Sequence, residues 1–167
     1  MIKAAILLDI DNCIANDGWR IPHIRWDLED PFDRYDAYHQ LSPWDAVGNR
    51  DLFEGRAERI FVLTSRPLTY RVMTVEWLRR AGVAFEHLLM RNPHDHRSSL
   101  AVKRDQMRSL GEYNLTLADV IGAYDDRPEI CAMYREHGLR AEVHALHNVC
   151  AYINPKTGFN HAAGKAA

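Results

Sequence analysis

The chain has 167 residues, enough for one well-buried domain and too few for two ordinary ones. With 47% hydrophobic and 26% charged residues it describes a globular protein, and a net charge of −2 supplies no basic field for coating nucleic acid. The three cysteines, Cys13, Cys131 and Cys150, form no CxxC pair, which excludes a zinc-ribbon spacing or a disulfide framework and fits a reducing cytoplasm.

The first predicted element is a strand over residues 3–9. Its apolar run is broken by Asp9 and Asp11 with no small-residue cleavage pattern, so it reads as a strand and not as a leader, and no other segment reaches membrane-spanning length. The strand ends in Asp9-Ile10-Asp11-Asn12. Carboxylates at i and i+2 leave a strand on the same side, and backed by an apolar wall such a pair can bind a hard cation, attack an electrophile, or do both. An insert over residues 12–57 follows, dense in aromatics: Trp19, Trp26, Phe32, Tyr35, Tyr38, Trp44 and Phe53. It holds five Arg against nine Asp or Glu, a net of −4.

Beyond the insert, short apolar runs alternate with segments of helical period. Strands are predicted over residues 59–64, 86–90, 120–124 and 142–146, and helices over 68–81, 98–110 and 128–137. Ala81-Gly82 and His137-Gly138 stand in C-terminal capping positions. The alternation predicts an α/β fold, a Rossmann-like doubly wound parallel sheet with helices on both faces, in one domain over residues 1–153. The stretch 154–167 has no period and reads as a flexible tail. Parallel sheets bind ligands at the carboxyl ends of their strands, which directs attention to Thr64-Ser65-Arg66, Asp125-Asp126-Arg127 and, on the helix between them, Lys103. Each has a plain structural reading: Thr64 and Ser65 as a turn or cap, Lys103 as a solvated helical charge, and the Asp pair as a cap for the helix at Pro128.

In order, Asp9-Ile10-Asp11, Thr64, Lys103 and Asp125-Asp126 resemble the four motifs of the haloacid dehalogenase-like (HAD) phosphatase superfamily, over residues 2 to about 146. Leu63-Thr64-Ser65-Arg66-Pro67, Met73 through Leu78, Val102-Lys103 and Asp125-Asp126-Arg127 look most like the phosphatase domain of phage-type polynucleotide kinases. Where that family has Gly then Thr or Val after the second Asp, this chain has Asn12-Cys13; Asn tolerates the left-handed backbone that Gly would supply. No GxxxxGK[ST] occurs in the 167 residues, so the resemblance concerns phosphate removal.

The resemblance implies a Mg²⁺-dependent phosphomonoesterase with an aspartyl-phosphate intermediate and a small cap formed by the insert. Asp9 is then the nucleophile and Asp11 the acid and base, with Thr64 and Lys103 on the phosphoryl oxygens. Mg²⁺ is held by Asp9, Asp125, Asp126 and the Asp11 carbonyl. The like charges of Asp9 and Asp125 are expected to favour protonated Asp11, with the metal opposing them. The substrate is read as a nucleotide-type ester, either the 3′-phosphate of a nucleic-acid end or a free (deoxy)nucleotide monophosphate. Trp19 and Tyr38 are the candidates for stacking on a base, against the reading that the insert's aromatics form its own core. Ser65, Arg66 and Arg127 are further substrate-binding candidates, the arginines meeting a second phosphate or an acid such as Asp125 or Asp126. A general small-metabolite phosphatase and a catalytically silent module on the same fold are the alternatives. Tight duplex DNA binding and a membrane are not expected. His94 and His96 read as solvated loop residues, not metal ligands.

Overall fold

The computed structural model describes residues 4–147 and the backbone of two short strands, Phe159–Asn160 and Lys165–Ala166, which pair antiparallel. Apart from these, the tail predicted over 154–167 lies outside the described residues, as does Cys150. In chain order the described elements are β1 (Ala5–Leu8), β2 (Ala15–Asn16), α1 (Pro31–Gln40), β3 (Ala46–Val47), β4 (Arg59–Pro67), α2 (Arg71–Ala81), β5 (Phe85–Arg91), α3 (Ser99–Arg108), β6 (Val120–Asp125), α4 (Pro128–Glu136) and β7 (Ala141–Val143).

Five strands form one parallel sheet in the order β5-β4-β1-β6-β7. From central β1 the chain runs outward through β4 to β5, then crosses back to β6 and out to β7. The order therefore reverses beside β1, and the carboxyl ends of β1 and β6 are where a sheet of this kind places its ligand. Alternation along the strands divides the core in two. Ala5, Leu7, Phe61 and Leu63 face Met107 of α3 and Ile130, Met133 and Tyr134 of α4. Ile6, Leu8, Ile60 and Val62 face Trp77, Leu78 and Ala81 of α2 together with Leu52 and Phe53 of the insert. With both faces covered, β1 has no polar side and is buried throughout.

The predicted helices form with trimmed ends. Residues 68–70 make a 3₁₀ turn before α2, Ser98 caps α3 by accepting from the Ala101 amide at 3.3 Å, and residues 109–113 close α3 as 3₁₀. Gly82 ends α2 at φ +82, with no atom within 4 Å of where a Cβ would stand. Gly82→Ala is therefore expected to lose about 1 kcal/mol through backbone strain alone, read as a lower urea midpoint at unchanged slope.

The ends of two strands, β4 and β7, differ from the prediction by three residues. β4 runs on to Pro67, so Thr64, Ser65 and Arg66 lie in the strand and cap no helix. β7 covers Ala141–Val143, not 142–146, because its partner β6 ends at Asp125; beyond that point the His144 amide donates to the Asp125 carbonyl and the Leu146 amide to that of Asn12. Within the insert, β2 and β3 pair antiparallel and bracket α1, whose first turn is capped by Asp30 on the Phe32 amide at 2.7 Å. Edge-to-face contacts of Trp26 with Tyr35 and of Tyr35 with Tyr38, at 6.0 and 5.8 Å, pack its interior. Trp19 and Trp44 are exposed.

Candidate active site

Asp9 leaves β1 with the parity of Ala5 and Leu7, toward the face that α3 covers. There the Lys103 ammonium donates to Asp9 Oδ1 at 2.5 Å, to Asp125 Oδ2 at 2.9 Å and to the Leu63 carbonyl. Lys103 is 2% exposed and not the solvated charge that its helical position suggests. Asp126, next in the chain, accepts from Asn12 Nδ2 at 3.0 Å. Asn12 sits at φ 59, the left-handed conformation expected in place of Gly, and its amide also grips the main chain of His147 by accepting from the amide at 2.8 Å and donating to the carbonyl at 3.1 Å.

Carboxylate oxygens of Asp9, Asp125 and Asp126 lie within 4.8 Å of one another, all buried. Three carboxylates against one ammonium leave an excess of negative charge that burial makes costly. Burial, offset by Lys103 and reinforced by Asp125, pushes the Asp9 carboxyl up to about 7, and burial with Asp125 and Asp9 raises Asp126 well above the carboxylate range. An all-oxygen set with unmet negative charge suits a hard divalent cation. In metal-free protein the sign of the linkage is fixed. Unfolded Asp9 releases its proton near pH 4 and folded Asp9 only near 7, so wild type loses stability as pH rises through that window. An Asn at this position has no proton to lose. The stability of Asp9→Asn relative to wild type is therefore expected to rise between pH 4 and 7, measured by urea midpoints in chelator; a flat difference contradicts it.

Asp11 stands apart from this cluster, and groups outside the cluster decide its charge. Its carboxylate accepts from Arg66 Nε at 2.9 Å and Nη2 at 2.7 Å, and from Arg20 Nη2 at 2.7 Å. Burial pushes its carboxyl up, but Arg66 and Arg20 outweigh burial and hold it far below the usual carboxylate range. Asp11 is thus ionised, not protonated under the influence of Asp9 and Asp125. The second face of the clamp is Asp45, which takes Arg20 Nε at 2.7 Å and Nη2 at 2.6 Å; Arg20 also donates to the Tyr38 carbonyl and lies 4.1 Å over that ring.

The predicted substrate residues divide. Arg66 is fully buried on Asp11 and Asp45, not turned to a second phosphate, and Arg127 pairs with Glu129, not with the side chains of Asp125 or Asp126. Tyr38 is packed under Arg20 with its hydroxyl on Asp17, so it does not present a ring for stacking. Trp19 is 45% exposed, its indole N–H on Asp45 at 3.0 Å. Thr64 is buried and accepts from the Arg66 amide at 3.2 Å. Ser65 Oγ is buried without a partner, as are Arg66 Nη1, Gln106 Oε1 and His39 Nδ1. Orphaned polar atoms of this kind are rare in folded interiors and mark places for a ligand or water. His96 packs edge-on against Phe32 at 4.7 Å, and neither loop histidine joins the acidic cluster. Sequence reasoning missed Arg20, Asp45, His39 and Gln106. Nothing local marks them, since Arg20 and Asp45 meet across 25 positions.

A family model described as the polynucleotide kinase PNKP phosphatase domain matches residues 3–144. No protein of curated function matches the sequence. A chain of the Pnkp1/Rnl/Hen1 RNA repair complex superposes with a TM-score of 0.62 at 19% identity, covering 85% of this chain and 42% of its own. A haloacid dehalogenase-like hydrolase from Streptococcus pneumoniae gives 0.59 at 12%, covering 84% of each chain. CbbY from Rhodobacter sphaeroides, solved in complex with phosphate, gives 0.56 at 16%, covering 87% of this chain and 89% of its own. This chain spans less than half the length of the repair-complex chain.

Proposed function

Because the chain belongs to the polynucleotide kinase PNKP phosphatase-domain family and is a HAD-type phosphatase, we propose that it is a Mg²⁺-dependent hydrolase of nucleotide-type phosphomonoesters. The observation that carries this reading is the convergence of Asp9, Asp125 and Asp126 with Lys103 at the crevice beside β1.

Asp9, Asp125 and Asp126, with the Asp11 carbonyl, would hold Mg²⁺, which supplies positive charge against the repulsion between a phosphate dianion and a carboxylate nucleophile. Asp9 attacks phosphorus and forms an aspartyl-phosphate. Lys103, fixed by Asp9, Asp125 and the Leu63 carbonyl, and the Thr64 hydroxyl stabilise the phosphoryl oxygens. Asp11 protonates the leaving oxygen and then takes a proton from the hydrolytic water. Its ionised state between Arg20 and Arg66 suits the second task; for the first it has to acquire a proton against both guanidiniums. The insert over 12–57 acts as the cap, in a domain over 1–153. Two buried free cysteines, Cys13 and Cys131, are consistent with a reducing cytoplasm. Among the described residues no helix is long and apolar enough to cross a membrane.

Family membership favours the 3′-phosphate of a nucleic-acid end, and the insert's charge of −4 favours a free nucleotide over a long duplex. Phosphate release is measured with Mg²⁺ on nucleoside 3′- and 5′-monophosphates, 3′-phosphorylated oligonucleotides and sugar phosphates. Release from the nucleotide esters, lost in chelator and restored by Mg²⁺, is expected. Release from sugar phosphates alone would make it a general metabolite phosphatase. No release from any ester by folded, Mg²⁺-supplied protein would make it a silent module.

A further inference from the structure

The insert carries an open cleft of about 550 Å³ that the mechanism above does not use, lined by Asn16, Gly18, Trp19, Trp44 and Ala46. Its frame is the β2–β3 ribbon, in which Asn16 and Ala46 are direct partners. Trp19 follows β2 in one 3₁₀ turn and Trp44 precedes β3 in another, and the two are 45% and 69% exposed. Trp19 meets His23 edge-on at 6.4 Å and gives its indole N–H to Asp45 at 3.0 Å. The Trp44 ring has neither an aromatic nor a hydrogen-bond partner among the described residues. Tryptophan is highly buried on average, so two left in water on one cleft mark a binding surface.

Two separate chains of contacts tie this cleft to the acidic site. Trp19 Nε1 shares Asp45 Oδ1 with Arg20 Nε, and Nη2 of the same guanidinium rests on Asp11 Oδ1 at 2.7 Å. A Cβ on Gly18 would stand 3.1 Å from the His147 ring, and the Asn12 side chain that grips the His147 main chain also holds Asp126. One carboxylate and one guanidinium thus separate Trp19 from Asp11, about the reach of a nucleoside from its ester oxygen to its base. Charge then selects the occupant. The insert has a net charge of −4, yet none of the five lining residues is charged. Phosphate finds no cation there, whereas a neutral flat ring finds two indoles and the exposed Asn16 amide, which can both donate and accept at a base edge. We propose that this cleft binds the nucleobase of the substrate, with Trp44 and Trp19 supplying the stacking surface, while the phosphoryl group lies beside Asp9 and Lys103. Stacking of this kind senses that a base is present and not which one, since every base has a π face.

This inference rests on the phosphatase reading. The test compares kcat and KM for adenosine 3′-monophosphate and for β-glycerol phosphate, a phosphomonoester without a base, in wild type, Trp44→Ala and Trp44→Phe. Wild type should prefer the nucleotide in kcat/KM. Trp44→Ala should lower that preference about tenfold, chiefly through KM, the lower part of what stacking one base on an aromatic ring contributes. Trp44→Phe, which keeps a ring, should retain most of it. A preference that Trp44→Ala leaves in place, or a loss shared equally by both esters, overturns the proposal. The second readout needs no turnover. In Asp9→Asn protein with Mg²⁺, adenosine 3′-monophosphate quenches tryptophan fluorescence, inorganic phosphate does not, and adding Trp44→Phe weakens the quenching; equal quenching by nucleotide and phosphate overturns the proposal. A dimer in sedimentation velocity that Trp44→Ala dissociates would assign the cleft to a second copy and overturn it as well. If wild type cleaves neither ester, the phosphatase reading falls. Quenching by the nucleotide alone then still supports the cleft as a base site, and its absence overturns it.

Discussion

Asp9→Asn is expected to stop turnover, with kcat lowered by roughly 10⁴-fold or more, the scale on which loss of a catalytic nucleophile is felt. The change is close to isosteric, keeps an oxygen for Lys103 and removes one carboxylate charge, leaving Asp125 and Asp126 for the metal. The fold therefore survives, and circular dichroism and the urea midpoint should show it. Binding of inorganic phosphate in the presence of Mg²⁺ should persist, because Lys103, Thr64, Asp125 and Asp126 remain. Full phosphate release by the variant would remove Asp9 from the chemistry and leave the acidic cluster as a metal site alone.

The second large effect is expected at Arg20. Its guanidinium is fully buried and shared by Asp11, Asp45 and the Tyr38 carbonyl. Removing one partner of a buried ionic network leaves charges without compensation, at a cost of about 3 to 5 kcal/mol. Arg20→Leu should lose stability on that scale, and it should also allow Asp11 to bind protons at higher pH, since one of the two groups holding it ionised is gone. The combination Arg20→Leu with Asp45→Asn should recover part of the stability, because the carboxylate stranded by the first change is neutral in the second. Urea midpoints of the two single variants and the double variant form the cycle. Additive losses would mean that Arg20 and Asp45 are coupled weakly despite bidentate contact at 2.6 and 2.7 Å.

The periodic parts of this molecule were legible in the sequence. Strands β1, β4, β5 and β6 and helices α2, α3 and α4 follow their apolar patterns, and Gly82 and Gly138 take the left-handed conformation that their capping positions require. Thr-Ser-Arg-Pro has the composition of a turn, yet it continues β4 because Arg66 is fixed sideways by Asp11 and Asp45, a force invisible in local propensity. The final strand was placed too late because its length is set by where β6 stops, not by its own residues. The same contrast governs the site. Asp9, Asp125 and Asp126 each end or follow a readable strand and Lys103 lies within a readable helix, so topology brought them together. The charge state of Asp11 is not legible in the sequence because two guanidiniums, nine and fifty-five positions away, decide it. For Tyr38 and Arg66 the residue type leaves an outward and an inward reading open, and long-range partners decide for the inward one, Tyr38 within the insert's packing and Arg66 on acidic side chains.

The grip of the Asn12 side chain on the His147 main chain joins positions 135 apart, while the same amide steadies Asp126. A contact of that sequence separation forms only after almost all the intervening chain has folded or been made. During synthesis Asp9 and Lys103 can emerge and meet well before the residue that completes this loop exists. The enzyme should therefore acquire its fold earlier than its activity, and a nascent chain halted before His147 would hold a sheet but an unfinished acidic cluster.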